Sequence, residues 1–169
     1  MRDADEVAMS VIAFAHPAPE PPLTGPFNRT KLLADLEAAL VPGTGPSVLA
    51  VFELVGIKPL LAAVVAEEVE SLLTRLALRL MRELGPAAEC YRPRREEFCA
   101  LLPMTDAAAA LGRATAGLIE AAKPLPIGVL YATTLLPEEA ATPLEALERA
   151  DKRLFALAHP EDGRRRRDR

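Results

Sequence analysis

The residues whose types and spacing could do chemistry gather in one short stretch, Tyr91-Arg92-Pro93-Arg94-Arg95-Glu96-Glu97-Phe98-Cys99-Ala100-Leu101-Leu102-Pro103. It holds a cluster of arginines, two adjacent carboxylates and a cysteine, with Cys90 just ahead of it. A polar centre between apolar flanks reads as two strand halves around a turn, the run Phe98 to Leu102 forming the second half. With Arg94 and Arg95 as a two-residue turn, Cys90 and Cys99 stand opposite each other, close enough for disulfide geometry. In a cytoplasmic protein they are expected as reduced thiols packed as small hydrophobes. His159, beside Pro160, reads as a surface residue rather than a ligand.

The elements that must hold this hairpin follow from the apolar pattern. Residues 1 to 16 carry Val7, Val11, Ile12 and Phe14, which suit a helix or a strand equally. His16 to Pro22 is dense in proline and reads as an extended, donor-poor connector. Asn28 is a good N-cap for a helix with Leu32, Leu33, Leu36 and Leu40 on one stripe, and Pro42-Gly43-Thr44-Gly45-Pro46 ends it. Ser47 to Leu54 reads as a strand in a central position, since Val48, Leu49, Val51, Phe52 and Leu54 bury on both faces. The stretch Leu60 to Leu84 reads as helical, with Val69, Leu72, Leu73, Leu76, Leu80 and Leu84 on one face and Gly85-Pro86 as its stop.

After the hairpin, Thr105 or Asp106 can cap an alanine-rich helix running to about Ala122, and Pro126 to Thr133 is the next strand. Thr142-Pro143-Leu144-Glu145 is a capping box with proline at the first helical position. The helix it opens is expected to turn Leu144, Leu147, Leu154 and Phe155 inward. The order is helix, strand, helices, hairpin, helix, strand, helix. This is an α+β fold with a βαββαβ core, a central, mainly antiparallel sheet flanked by helices.

At 169 residues the chain is one domain with a short extension, large enough for a real core. Half of it is hydrophobic and only 4% aromatic, so the core must be built from Leu, Val and Ala. No apolar run approaches a membrane span and no signal-peptide pattern opens the chain, which implies a soluble, cytoplasmic protein. Removing the last eight residues, rich in arginine, takes the net charge from −4 to −7. An acidic body argues against nucleic-acid binding, and the run Arg164 to Arg167 reads as a solvated tail.

The hairpin resembles the signature of the GGDEF family, the diguanylate cyclases, in which a Gly-Gly turn is followed by an acid, Glu and Phe. Glu96-Glu97-Phe98 matches, whereas Arg94 and Arg95 stand where the family has its glycines. Leu23-Thr24-Gly25-Pro26-Phe27-Asn28-Arg29 is similar to the family's Asp-x-Leu-Thr-Gly-Leu-Pro-Asn-Arg before the first helix, with Pro21 at the Asp and Pro26-Phe27 at the Leu-Pro. Ile127-Gly128-Val129 matches the family's Ser-Ile-Gly-Val strand with Pro126 for Ser, and Ala150-Asp151 matches its Ala-Asp pair. Ala158-His159 and Gly163-Arg164 fall where it has Ala-Lys and Gly-Arg-Asn, with one extra residue between. The resemblance runs from about residue 21 to 165. It divides the chain into an extension and connector at 1–20, a degenerate GGDEF domain at 21–163 and an arginine-rich tail at 164–169.

The resemblance implies a site for joining two GTP molecules held on facing domains, with Mg²⁺ or Mn²⁺ polarising phosphates and activating a 3′-hydroxyl. Its metal carboxylates map to Glu53 on the first strand and Glu96 on the hairpin, beside Glu97, and its following lysine to Lys58. The second strand acid is Val55. The guanine-reading positions are Leu61 and Glu70, the turn between the family's two helices is Val65-Ala66 and reads as continuous helix, and the phosphate-binding positions are His159 and Arg164. Arg94 and Arg95 bring bulk where a primed turn wants positive φ and phosphate wants bare backbone. One of them is expected to fold back onto Glu53 or Glu96, since carboxylates brought together without a metal need a cation, and a guanidinium is a fitting one. The family's inhibitory Arg-x-x-Asp maps to Gly85-Pro86-Ala87-Ala88, so cyclic di-GMP is not expected there.

The expected function is therefore a catalytically inactive, degenerate GGDEF domain acting as a regulatory or scaffolding protein-interaction module in bacterial signalling. It would have a protein partner or a second copy of itself and no resident cofactor, Mg²⁺ or Mn²⁺ entering only with nucleotide. The alternatives are a weak diguanylate cyclase using Glu53, Glu96 and Lys58, or a GTP receptor without turnover.

Overall fold

The computed structural model describes residues 25–160. The apolar set at 1–16, the proline-rich connector, Pro21, Leu23-Thr24 and the arginine run with Arg164 lie outside the described residues. Five helices and four strands follow in the order α1 (Arg29–Ala39), β1 (Ser47–Val55), α2 (Ile57–Ala63), α3 (Ala66–Leu84), β2 (Glu89–Arg94), β3 (Glu97–Pro103), α4 (Ala107–Ala122), β4 (Gly128–Leu136) and α5 (Pro143–Ala158). The sheet order is β2-β3-β1-β4, and every pairing is antiparallel. No helix of the described residues is long and apolar enough to cross a membrane.

β1 is the spine of the sheet because both its faces are covered. Val48, Ala50, Phe52 and Leu54 pack into a cluster with α3 and α4, while Leu49 and Val51 pack with α1 and α5. Alternate residues point to opposite faces, so a strand covered on both sides reads as an unbroken apolar run. α1 opens as its sequence suggests, Lys31 N–H donating to Asn28 Oδ1 at 3.0 Å, and buries Leu32 and Leu36 with Leu33 and Leu40 only half-covered. Ahead of it, Phe27 N–H donates to Cys90 O at 2.8 Å and Arg92 N–H to Phe27 O at 2.7 Å, which ties the start of the described chain to β2.

Two helices differ from expectation. Leu60 to Leu84 is not one helix but α2 and α3, separated at Val64 and Val65, both extended with ψ near 149° and 148°. Two β-branched residues favour extended backbone there, and Glu67 and Glu68 then suit the positive N-terminal end of α3. α3 buries the foreseen stripe from Val69 to Leu84 and stops at Gly85, whose φ of 80° a residue with a Cβ rarely adopts. It packs on α4 at Gly117, where an added Cβ would fall 2.6 Å from Glu83 Cγ. α5 opens with Thr142 Oγ1 accepting from Glu145 N–H and with Pro143 in its first turn. Its inward face, however, is Ala146, Leu147, Ala150 and Leu154; Leu144 and Phe155 are exposed because no element covers either end of that side.

Candidate functional site

Where β1 ends, the hairpin tip and the last turns of α5 close around a cleft of about 610 Å³. Glu53, Lys58, Arg94, Glu96, Glu97 and Asp151 line it, with Phe155 and His159 among the residues contributed by α5. Strand alternation explains the grouping: Glu53 shares the α5 face of β1 with Leu49 and Val51, and Glu97 shares that face of β3 with Cys99. Lys58 reaches the cleft because Gly56, at φ 86°, turns the chain from β1 into α2 with only 3.1 Å between its Cβ position and Pro126 O.

The cleft is acidic and partly dehydrated. Burial raises the Glu97 carboxyl above its ordinary range, and nearby Asp151 pushes it further while Arg94 and Arg29 oppose the rise. Burial raises Asp151 as well, again against Arg94. Arg94 Nε lies 3.6 Å from Glu97 Oε2, a cross-strand pair at the mouth of the turn. Glu53 and Glu96 share the cleft, but among the described residues no three His, Cys, Asp or Glu side chains group closely enough to hold a metal ion. The side chains present do not by themselves fit the two-metal site that the resemblance implies.

The hairpin tip corrects two expectations. Arg94 pairs with Glu97, so the turn is Arg95-Glu96 rather than Arg94-Arg95. Further down, Tyr91 faces Cys99 and Cys90 faces Ala100, so the two cysteines lie on opposite faces of the sheet and cannot meet. The shift arises between Tyr91 and Arg94, where Arg92-Pro93 stands against Phe98 alone. Proline has no N–H to give the ladder, and the extra residue is absorbed as a bulge. Both thiols are free and buried, as foreseen. The shift also redirects the arginines, neither of which pairs with Glu53 or Glu96. Arg94 meets Glu97, and Arg95 Nε sits 4.0 Å from Glu70 Oε2.

Glu70 lies outside the cleft, on α3 under the hairpin tip, where Arg92 grips it. Arg92 Nη1 and Nη2 donate to Glu70 Oε1 and Oε2 at 2.6 and 3.0 Å, and Arg92 Nε donates to Arg95 O at 2.7 Å. The guanidinium holds Glu70 below the usual carboxylate range. Phe98 is buried in the core on the α3 side, and Leu61 is half-buried against the same core. His159 is exposed and stacks on Phe155, with ring centroids 4.3 Å apart. Sequence reasoning missed Arg92 and gave Asp151 no role. Pro93, which has no N–H for the ladder, was the sequence signal for the first, and its place in the matched Ala150-Asp151 pair was the signal for the second.

The antiparallel βαββαβ core, with its hairpin at one mouth of the sheet, is the fold of GGDEF domains. The GGDEF domain of FimX from Pseudomonas aeruginosa matches at a TM-score of 0.69 and 25% identity, over 80% of this chain and 90% of that one. The diguanylate cyclase SiaD from the same organism, solved in complex with its activator SiaC, matches at 0.73 and 22%, over 93% of this chain and 64% of that one. The GGDEF domain of DgcB from Caulobacter crescentus, in complex with c-di-GMP, matches at 0.67 and 19%, over 88% and 90%. No protein-family model and no curated protein matches the sequence.

Proposed function

We propose that this GGDEF-fold domain is catalytically silent and works in bacterial cyclic di-GMP signalling as a cytoplasmic regulatory or scaffolding module that binds a protein partner. The observation that carries the reading is the hairpin's use of its own arginines against nearby acids, Glu70 on α3 and Glu97 on β3. Arg92 occupies both oxygens of Glu70, the position aligned with guanine recognition, and Arg94 meets Glu97. A purine edge would have to displace a bidentate ion pair and would then face Leu61, which can neither donate nor accept a hydrogen bond. The complex of SiaD with its activator supports a protein as the partner type. Incubating purified protein with GTP and Mg²⁺ or Mn²⁺ should yield no cyclic di-GMP. A robust metal-dependent product, abolished by Glu96→Ala, would overturn the reading and establish the weak cyclase.

A second reading, GTP binding without turnover, draws on the cleft itself, which is roomy and places Lys58 beside Glu53. Calorimetry distinguishes it: heat on GTP addition without product supports a receptor, and silence in both assays supports the interaction module.

A further inference from the structure

We propose that β4 is a strand-addition edge and that its occupant is a second copy of the same strand, joined antiparallel about a twofold axis at Leu130. The inference goes beyond the reading of function above and does not depend on it. The two edges of the sheet differ. Along the outer side of β2, Phe27 N–H donates to Cys90 O and Arg92 N–H to Phe27 O, and Pro93 with its bulge interrupts the rest. Proline, bulges and charge are what edge strands carry against unwanted pairing. From Gly128 to Leu136, β4 has none of them. It pairs with β1 without a register shift, and no charged residue lies between Lys123 and Glu138.

The second observation is which backbone groups stand open. In an antiparallel ladder a residue's N–H and C=O point to the same side, and successive residues alternate. Thr133 O accepts from Arg153 and Leu135 N–H donates to Glu139, so the odd-numbered residues of β4 face outward. Val129 and Tyr131 therefore each turn an N–H and a C=O to that side, and among the described residues nothing bonds them. The α5 tie closes one end of the edge and leaves this window.

The third observation is that the window complements itself. A twofold at Leu130 sets Val129 of each copy against Tyr131 of the other. Each open N–H then meets an open C=O, and Thr133 O is left to Arg153. On the α3–α4 face this register places an aromatic ring against a β-branched side chain, a favourable cross-strand pair. On the α5 face Leu130, half-buried in one copy, meets its own counterpart. Leu157, one turn beyond Arg153 on the stripe of α5 that reaches this edge, is 54% exposed. Antiparallel pairing also brings the end preceded by Lys123 to the end followed by Glu138, two exposed residues of opposite charge. A foreign strand satisfies the backbone groups; the same strand matches the side chains and the end charges as well. A joint this short buries less surface than a permanent dimer, so the association is weak and concentration-dependent. The axis is normal to the sheet, so the two clefts face opposite ends of the joined sheet.

The test is sedimentation equilibrium on the full chain from about 10 μM to about 1 mM, with amide exchange read at both ends of that range. The mass should rise from monomer toward dimer, and the Val129 and Tyr131 amides should exchange at least about tenfold more slowly at the high end. Tyr131→Pro removes an N–H that faces away from β1, a change an edge strand tolerates, and should keep the protein monomeric. Leu157→Lys, at a surface position, should weaken the dimer without lowering the melting temperature, which keeps the proposal testable if the proline variant does not fold. A monomer at every concentration would overturn it, as would a dimer indifferent to Leu157→Lys. So would a dimer whose Val129 and Tyr131 amides keep their dilute exchange rate, or amides already protected in the dilute monomer.

Discussion

Arg92 directs Nε, Nη1 and Nη2 at protein acceptors, two on Glu70 and one on the turn carbonyl of Arg95. Glu70 is 52% exposed, so water screens much of the pair, and it is worth no more than about 1 kcal/mol. Arg92→Lys keeps the charge but loses the fork; it should lower the melting temperature by about 2–4 °C, more at low salt. Because Glu70 is held below its ordinary range, its contribution is present above that range and disappears as pH falls through the lowered folded value. Parallel acid melts of Arg92→Lys and the unchanged chain should therefore converge. Glu97 carries the opposite sign: burial raises it, so ionisation costs the native state at neutral pH, and Glu97→Gln should hold or slightly raise the melting temperature. The cysteines give a chemical check. Burial raises Cys90 to about 12 and Cys99 also upward, and they face opposite sides of the sheet. Native protein should resist thiol-reactive dye and form no internal disulfide under mild oxidant, while denaturant releases both thiols; a native disulfide seen by mass spectrometry would contradict the register. That Glu53, Glu96, Glu97 and Lys58 would share one place was legible in the sequence only through the resemblance of the first strand and the hairpin to a known family, and one cleft holds all four. The facing of the cysteines was not legible, because one bulge at Pro93 moves every partner beyond it.

At the scale of elements, the tie between β4 and α5 holds the cleft's far wall. β4 is an edge strand, and α5 covers part of that edge: Arg153 Nη1 donates to Thr133 O at 2.5 Å, and its guanidinium grips Glu139 at 2.5 and 2.8 Å. Glu139 in turn accepts from Leu135 N–H at 2.8 Å, so one acid and one arginine satisfy edge groups that would otherwise invite another strand. The arginine and this amide hold the Glu139 carboxyl at about 2, against an ordinary 4.5. A depressed carboxylate stabilises above its unfolded value and loses that contribution as pH falls through the folded one, so the tie weakens between about pH 4.5 and 2. Glu139→Gln should cost about 1–2 kcal/mol at neutral pH and flatten the acid limb of the stability curve in that window. An unchanged acid limb in denaturant titrations would show that the tie contributes nothing. The pattern that foretold α5 could not foretell which of its apolar residues stay outside. Leu147 and Leu154 meet β4 and α1, while Phe155 lies one residue round the helix, over the open cleft. Likewise the α2–α3 break was hidden in a run whose apolar spacing suits a single helix, and only the paired valines, Val64 and Val65, marked it.

At the scale of the molecule, the changes that set this chain apart from the hairpin signature it resembles are distributed over several elements, not confined to the turn. Arg94 and Arg95 belong to the hairpin, Val55 to the end of β1, Leu61 to α2, and the Arg92–Glu70 pair joins hairpin to α3. If the arginines at the turn alone kept nucleotide and metal out, replacing both with glycine would restore the site. If the loss is distributed, the replacement leaves Glu70 engaged and the first strand one carboxylate short. Linkage makes the difference measurable. A metal present at a hundred times its dissociation constant adds about 2.7 kcal/mol, which raises the melting temperature of a chain this size by about 5–10 °C. For Arg94→Gly with Arg95→Gly, addition of Mn²⁺ with GTP should change the melting temperature by less than about 1 °C. The same melt on the double variant carrying Val55→Asp and Arg92→Ala as well should begin to respond, because the strand acid is then present and Glu70 is free. A shift of several degrees in the simple double variant would place the whole barrier at the turn.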